Sequence, residues 1–190
     1  MRPPKLIKPY VVSFARQVIR LDNASPFYVL CSPLQDATQN ECFSLVEGYV
    51  AQHRGISVIG WAIWERPRVF IEAEFHAIWC APNGNFVDIV PREFPIPRIL
   101  FVCDPRRKHN GLQVDNVRKA LCKDKDVHRF LFLRSEYFRL LNNGDLKHQF
   151  GDIPVTPELL ANDNEAIALE DKIDRHYGLW LPETITAKPD

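Results

Sequence analysis

Three residues in this chain have the types and the order of an acyl-transfer site. Cys42 stands in the first turn of a predicted helix, His76 on a predicted strand, and Asp88 on the segment that follows the next turn. A helix N-terminus carries unsatisfied N–H groups and about half a positive charge, which favours a thiolate there. A neighbouring imidazole takes the thiol proton, and a carboxylate on the adjacent strand fixes the imidazole's tautomer. Asn40 is the fourth candidate. It is an N-cap by type. It also competes with Gln39 and Gln35 as a side-chain donor to an oxyanion, acting with the backbone N–H of Cys42.

The elements that must position these groups follow from the pattern. Residues 41–54 predict a helix, with Asn40 as cap, Cys42, Leu45, Val46 and Tyr49 at helical spacing, and Gly55 past the end. From Val69 to Cys80 the period becomes two. Val69, Ile71, Ala73, Phe75, Ala77 and Trp79 form an apolar face, with Glu72, Glu74 and His76 on the other. Pro82-Asn83-Gly84-Asn85 is a turn, and residues 86–90 are the returning strand. His76 and Asp88 are separated by an even number of positions, so they share a face only across a loop with an odd residue count. A two-residue Asn83-Gly84 hairpin would place them on opposite faces. A three- or five-residue loop with Gly84 at positive φ would align them.

The ordered set Asn40-Glu41-Cys42 heading a helix, Glu74-Phe75-His76-Ala77-Ile78-Trp79 on a strand, and Gly84-Asn85-Phe86-Val87-Asp88-Ile89-Val90-Pro91 after a turn resembles the papain-like and transglutaminase-like cysteine superfamily, in its circularly permuted, bacterial-type variants. The resemblance covers residues 38–91. It implies an α+β fold: an antiparallel sheet with the catalytic helix packed on one face and C-terminal helices closing it. It also implies a cysteine-dependent hydrolase or transferase acting on an amide bond, with a protein or peptide substrate and a thioester intermediate. The short separation of His76 and Asp88 departs from animal transglutaminases. The alternative is a catalytically silent fold of the same kind that binds a protein or RNA partner.

The same residues admit plainer readings. Cys42 is also a good buried cysteine, His76 a good core histidine, and Asp88 a good turn-flanking residue. Glu72 and Glu74 form either a solvated face or a contact for a cationic or amide-bearing substrate. Trp61, Trp64 and Trp79 are core residues unless exposed. His76 and Cys80, four apart on a strand, lie about 13 Å from each other by strand rise, too far for one metal ion. No cofactor is expected.

The remaining features bound the function. Among 190 residues, 24 Lys+Arg balance 24 Asp+Glu, which argues against wholesale nucleic-acid binding. The basic run Arg106-Arg107-Lys108-His109 reads as a solvated loop, or as a small phosphate or RNA patch. The five cysteines include no C-x-x-C pair, so neither a zinc ribbon nor a disulfide framework is expected. No stretch approaches the ~18 apolar residues of a membrane span. Residues 1–5 (Met-Arg-Pro-Pro-Lys) lead into no signal-type run. A cytoplasmic location is therefore expected, with signal-less secretion as an effector left open. Residues 10–20 are ambiguous between strand and helix, 27–31 and 99–103 read as strands, and 126–142 and 156–178 as helices. One catalytic domain over 1–180 and a disordered tail over 181–190 are expected.

Overall fold

The structure is a computed structural model that describes residues 1–35, 37–38, 41–142 and 155–178. Residues 181–190, and with them the expected tail, lie outside the described residues, as do Gln39 and Asn40.

The ambiguous segment 10–20 is a helix, α1 (Pro9–Ile19), with Pro at its first turn and Val11, Phe14, Ala15 and Ile19 buried at helical spacing. There follow β1 (Phe27–Cys31), α2 (Cys42–His53), β2 (Ile56–Arg66), β3 (Phe70–Cys80), β4 (Phe86–Asp88), β5 (Arg98–Cys103), β6 (Val117–Ala120), α3 (Lys125–Leu141) and α4 (Pro157–Tyr177). The class is α+β, but the expected antiparallel sheet is instead a mixed barrel. The strand order β2-β5-β1-β4-β3 closes on itself through β2–β3 pairing, and β6 adds to β3. β1 and β4 run parallel, with Leu30 opposite Val87 and Cys31 opposite Asp88. The β1–β5, β2–β5 and β3–β4 pairings are antiparallel.

Closure has a direct consequence for β3. A curled sheet has an inside, so much of the polar face of β3 is withdrawn from water. Val29, Ala62, Trp64, Ile78, Ile99 and Phe101 fill the interior. Glu72 and His76, on the same side of β3 as Ile78, are buried. The opposite side of β3 is buried as well. Ala77 and Trp79 meet Cys42, Val46 and Tyr49 of α2, together with Ile89 and Val90. Ala77 presents only a methyl, which lets the helix lie close to the barrel wall. Gly60 serves the wall in another way: a Cβ there would stand 2.2 Å from Val102 O and 2.6 Å from the Phe101 ring.

The chain divides into two compact units. The first comprises Met1–Glu65 and Ala73–Gly111 and holds all the candidate site residues that are described. The second comprises Arg66–Glu72 and the described residues from Leu112 onward. Its core is Val69, Phe70, Val127, Leu131 and Ile173, joined by Phe130 and Tyr177. Arg66 ties its own hairpin to the end of α4, pairing with Asp174 at 2.6 Å and donating to Gly178 O at 2.7 Å. α4 is continuous, capped by the Thr156 hydroxyl, which accepts from Leu159 N–H.

Candidate active site

The hairpin after β3 has the register that brings His76 and Asp88 to one face. Trp79 faces Val87 and Cys80 faces Phe86, leaving a five-residue loop, 81–85. Gly84 sits at φ +86° and donates to Ala81 O, and Asn83 Oδ1 accepts from Asn85 N–H. Continuing the register puts Asp88 opposite Ile78, so His76 is its diagonal neighbour on the same face. The two meet with His76 Nε2 donating to Asp88 Oδ1 at 3.1 Å, and exposures of 1% and 0%.

Asp88 also ends its strand. Oδ1 accepts from Val90 N–H, two residues on, at 3.2 Å. This Asx-type turn sends Ile89 and Val90 outward to α2 and brings Arg92 back over the carboxylate. One Arg92 amino group donates to Asp88 Oδ2 at 3.1 Å. The Cys31 thiol lies 4.0 Å from the same oxygen, as its register with Asp88 requires. Burial alone would raise the Asp88 pKa. The His76 bond and charge, the Arg92 cation and the Val90 N–H outweigh it and hold the carboxyl below its ordinary value. Burial pushes the Cys31 thiol up to about 12, and the Asp88 charge adds to this, so Cys31 is a neutral donor.

Cys42 is the first residue of α2. The cap residue is Glu41, without a side-chain cap bond, rather than the expected Asn40. The first intrahelical bond is Leu45 N–H to Glu41 O. The N–H groups of Cys42, Phe43 and Ser44 come before that bond, at the positive end of the dipole. Gly55, just beyond the helix, has φ +84°, and a Cβ on it would stand 2.3 Å from Cys80 O.

The imidazole is the meeting point. Burial would lower the His76 pKa, but the Asp88 hydrogen bond, the Cys42 thiol, and the Asp88 and Glu74 charges together raise it to about 10. With Nε2 engaged by Asp88, Nδ1 is buried and has no hydrogen-bond partner among the described residues. The thiol is thus near enough to favour the protonated ring without standing in hydrogen-bond geometry to it. An orphaned buried nitrogen costs about 1–3 kcal/mol, and such an exception asks for a role. Cys42 itself is 7% exposed.

Sequence reasoning missed Arg92, whose only signal is its position four residues after Asp88, inside a Pro-rich segment read as irregular. It left Glu74 undecided between solvent and substrate. Glu74 instead accepts from Trp64 Nε1 at 2.8 Å and pairs with Arg92 at 3.5 Å. Glu72 belongs to the second unit and pairs there with Arg118 at 3.0 Å. The basic run is not a freely solvated loop. Arg106 donates to Ile19 O, Arg107 lies over Trp61 and Phe75, and His109 stacks on Phe43, the residue after Cys42, at 4.0 Å. Among the described residues, no helix is long and apolar enough to cross a membrane. Comparison of the chain with protein-family models, with curated proteins and with solved structures gives no match in any of the three.

Proposed function

We propose that the protein is a cysteine-dependent hydrolase or transferase of amide bonds, with Cys42 as nucleophile, His76 as general base and then acid, and Asp88 as the group that orients the imidazole. The observation that carries this reading is the state of His76: Nε2 held by a buried carboxylate, Nδ1 buried and unpartnered, and a thiol at a helix N-terminus beside it. In the reaction, Nδ1 of the neutral ring, the form that gains population as pH rises toward the His76 pKa of about 10, takes the Cys42 proton as sulfur attacks a carboxamide or peptide carbonyl. The oxyanion develops at the first turn of α2, with the Cys42 N–H, which precedes the first intrahelical bond, as its donor. The imidazolium then passes its proton to the leaving amine or ammonia, and the C–N bond breaks. The resulting thioester is hydrolysed by a water whose proton His76 accepts, releasing the acid and restoring the thiol. General-base assistance of this kind contributes about 10²–10⁴-fold. Peptide cleavage and glutamine deamidation share these steps and differ only in the amine released.

A second reading rests on the burial of Cys42: a catalytically silent fold of the same architecture that binds a protein or RNA. Alkylation of the folded protein separates the two. With iodoacetamide at pH 6 and mass mapping of peptides, Cys42 is expected to react faster than Cys31, Cys80, Cys103 and Cys122, and His76→Ala is expected to abolish the difference. If Cys42 reacts no faster than Cys80 in the folded wild type, the nucleophile assignment is wrong and the silent reading takes its place.

A further inference from the structure

We propose that Arg92 is a positioning residue for the His76–Asp88 pair, holding the Asp88 carboxylate in the one rotation that presents Oδ1 to His76 Nε2; this rests on the cysteine hydrolase reading of the site. Its guanidinium is fixed from three directions. One amino group meets Asp88 Oδ2 at 3.1 Å, the other faces Glu74 at 3.5 Å, and the plane lies over the Trp64 ring, 4.6 Å from its centre. Glu74 is itself anchored by Trp64 Nε1. The assembly is Trp64 to Glu74 to Arg92 to Asp88 to His76, and Arg92 is 18% exposed. Among the described residues its buried Nε has no hydrogen-bond partner, so the group has not settled where its own hydrogen bonding would be complete.

Two consequences follow for the imidazole. A guanidinium donates and never accepts, so its amino group, 3.3 Å from Nε2, cannot take the Nε2 proton. That proton belongs on the line to Asp88 Oδ1, and in the neutral ring the Nδ1 lone pair is left for the thiol. The cation also opposes the pull of Asp88 and Glu74 on the ring. Both carboxylates favour an imidazolium, and a ring held too strongly protonated is a poor base. Arg92 thus keeps the carboxylate aligned while limiting how tightly it holds the proton. An ordinary surface salt bridge would do neither, because solvent would screen it and its geometry would wander.

The test compares Arg92→Gln and Arg92→Lys with the wild type, reading the His76 Hε2 proton by NMR and the Cys42 alkylation rate at pH 6. An imidazole proton donated to a buried carboxylate exchanges slowly with water and resonates far downfield. It is expected in the wild type and in Arg92→Lys. In Arg92→Gln it is expected to exchange at least ~10-fold faster, with a proportional fall in alkylation rate, a change equivalent to one pKa unit or about 1.4 kcal/mol, while the methyl spectrum stays that of a folded protein. Should Arg92→Gln fail to fold, Glu74→Gln removes the anchor of Arg92 without touching Asp88 and is expected to speed Hε2 exchange in the same direction. An Hε2 signal indifferent to both changes overturns the positioning role, even if Cys42 alkylates fast. The converse result, Hε2 responding as expected while Cys42 reacts like the other thiols, leaves Arg92 in place and removes the hydrolase reading.

Discussion

Replacing Asp88 by Asn tests how much the fold depends on its buried charge. The carboxylate accepts from His76, Val90 N–H and Arg92, with the Cys31 thiol 4.0 Å away. Asparagine keeps one carbonyl oxygen, which can serve Nε2 and Val90 N–H as Oδ1 does now. Its amide NH₂ would then point at the Arg92 guanidinium, donor against donor, leaving that cation with only Glu74 at 3.5 Å. Breaking one side of a buried pair costs about 3–5 kcal/mol. Arg92 retains some contact with water, so the lower end applies, about 3 kcal/mol. With a urea m-value of about 2 kcal/mol/M, the midpoint should fall by about 1.5 M. Tryptophan fluorescence reads this directly, because Trp61, Trp64 and Trp79, three of the four tryptophans, lie in the barrel unit. In a double-mutant cycle with Arg92→Met, the two losses should overlap by at least about 1 kcal/mol. A midpoint shift under about 0.5 M, corresponding to about 1 kcal/mol by the same m-value, or strict additivity in the cycle, would refute the claim that Arg92 depends on Asp88.

The pH dependence of stability is asymmetric by the same groups. The His76 pKa is raised from 6.5 to about 10, so its contribution is fully present below pH 6.5 and lost as pH climbs through about 10. The Asp88 pKa is lowered from 3.8, so its contribution is present above that value and lost only as pH falls further. Urea midpoints should therefore be flat between about pH 4 and 6.5 and decline toward pH 10, and His76→Gln should flatten the alkaline slope; an unchanged slope in that variant would contradict the assignment. Gly60→Ala should destabilise by more than about 3 kcal/mol, the scale of overpacking a tight core, because the new Cβ would stand 2.2 Å from Val102 O. A thermal midpoint within 2 °C of wild type, by the usual conversion of about 2–4 °C per kcal/mol for a chain of this size, would mean that the barrel wall yields there.

How much of this was legible in the sequence depends on where each residue's partners sit. The relation of His76 to Asp88 was legible because it is a question of parity: the loop count around Gly84 decides which side chains share a face. The extent of α2 was nearly legible, since Gly55 at φ +84° marks its end. Its start was not: Asn40 is the better capping type, yet Glu41 occupies the position. The alternation in β3 gave the strand but not where its carboxylates end. Glu72 and Glu74 stayed open between a solvated face and a substrate contact because the cations they pair with, Arg118 and Arg92, come from other segments. Barrel closure was hidden for a similar reason. β1 has five residues and β4 three, and no local period announces that they lie parallel. β6, four residues carrying Arg118 and Lys119, had no strand signature. Arg106, Arg107 and His109 looked solvated as a run of charge, and each turned out to have a specific acceptor or ring.

The closed barrel also sets the order in which the site can come into being. Glu74, His76, Asp88 and Arg92 lie within a single hairpin and its exit, so the imidazole, its carboxylate and their cation can find one another through short-range encounters. Cys42 reaches them over a moderate span, since α2 runs directly into β2, the strand that pairs with β3. β1 is different: it reaches Asp88 only through a parallel pairing whose partners Cys31 and Asp88 are 57 positions apart. Contacts of that separation carry a larger loop-closure cost and form late. A chain that has folded its hairpins but not joined β1 to β4 has His76, Asp88 and Arg92 in place and a Cys31 thiol not yet set against the carboxylate. Protection of Cys31 from alkylation is then a signal that the last seam of the barrel has closed, and newly made or partly unfolded molecules keep that thiol open until it does.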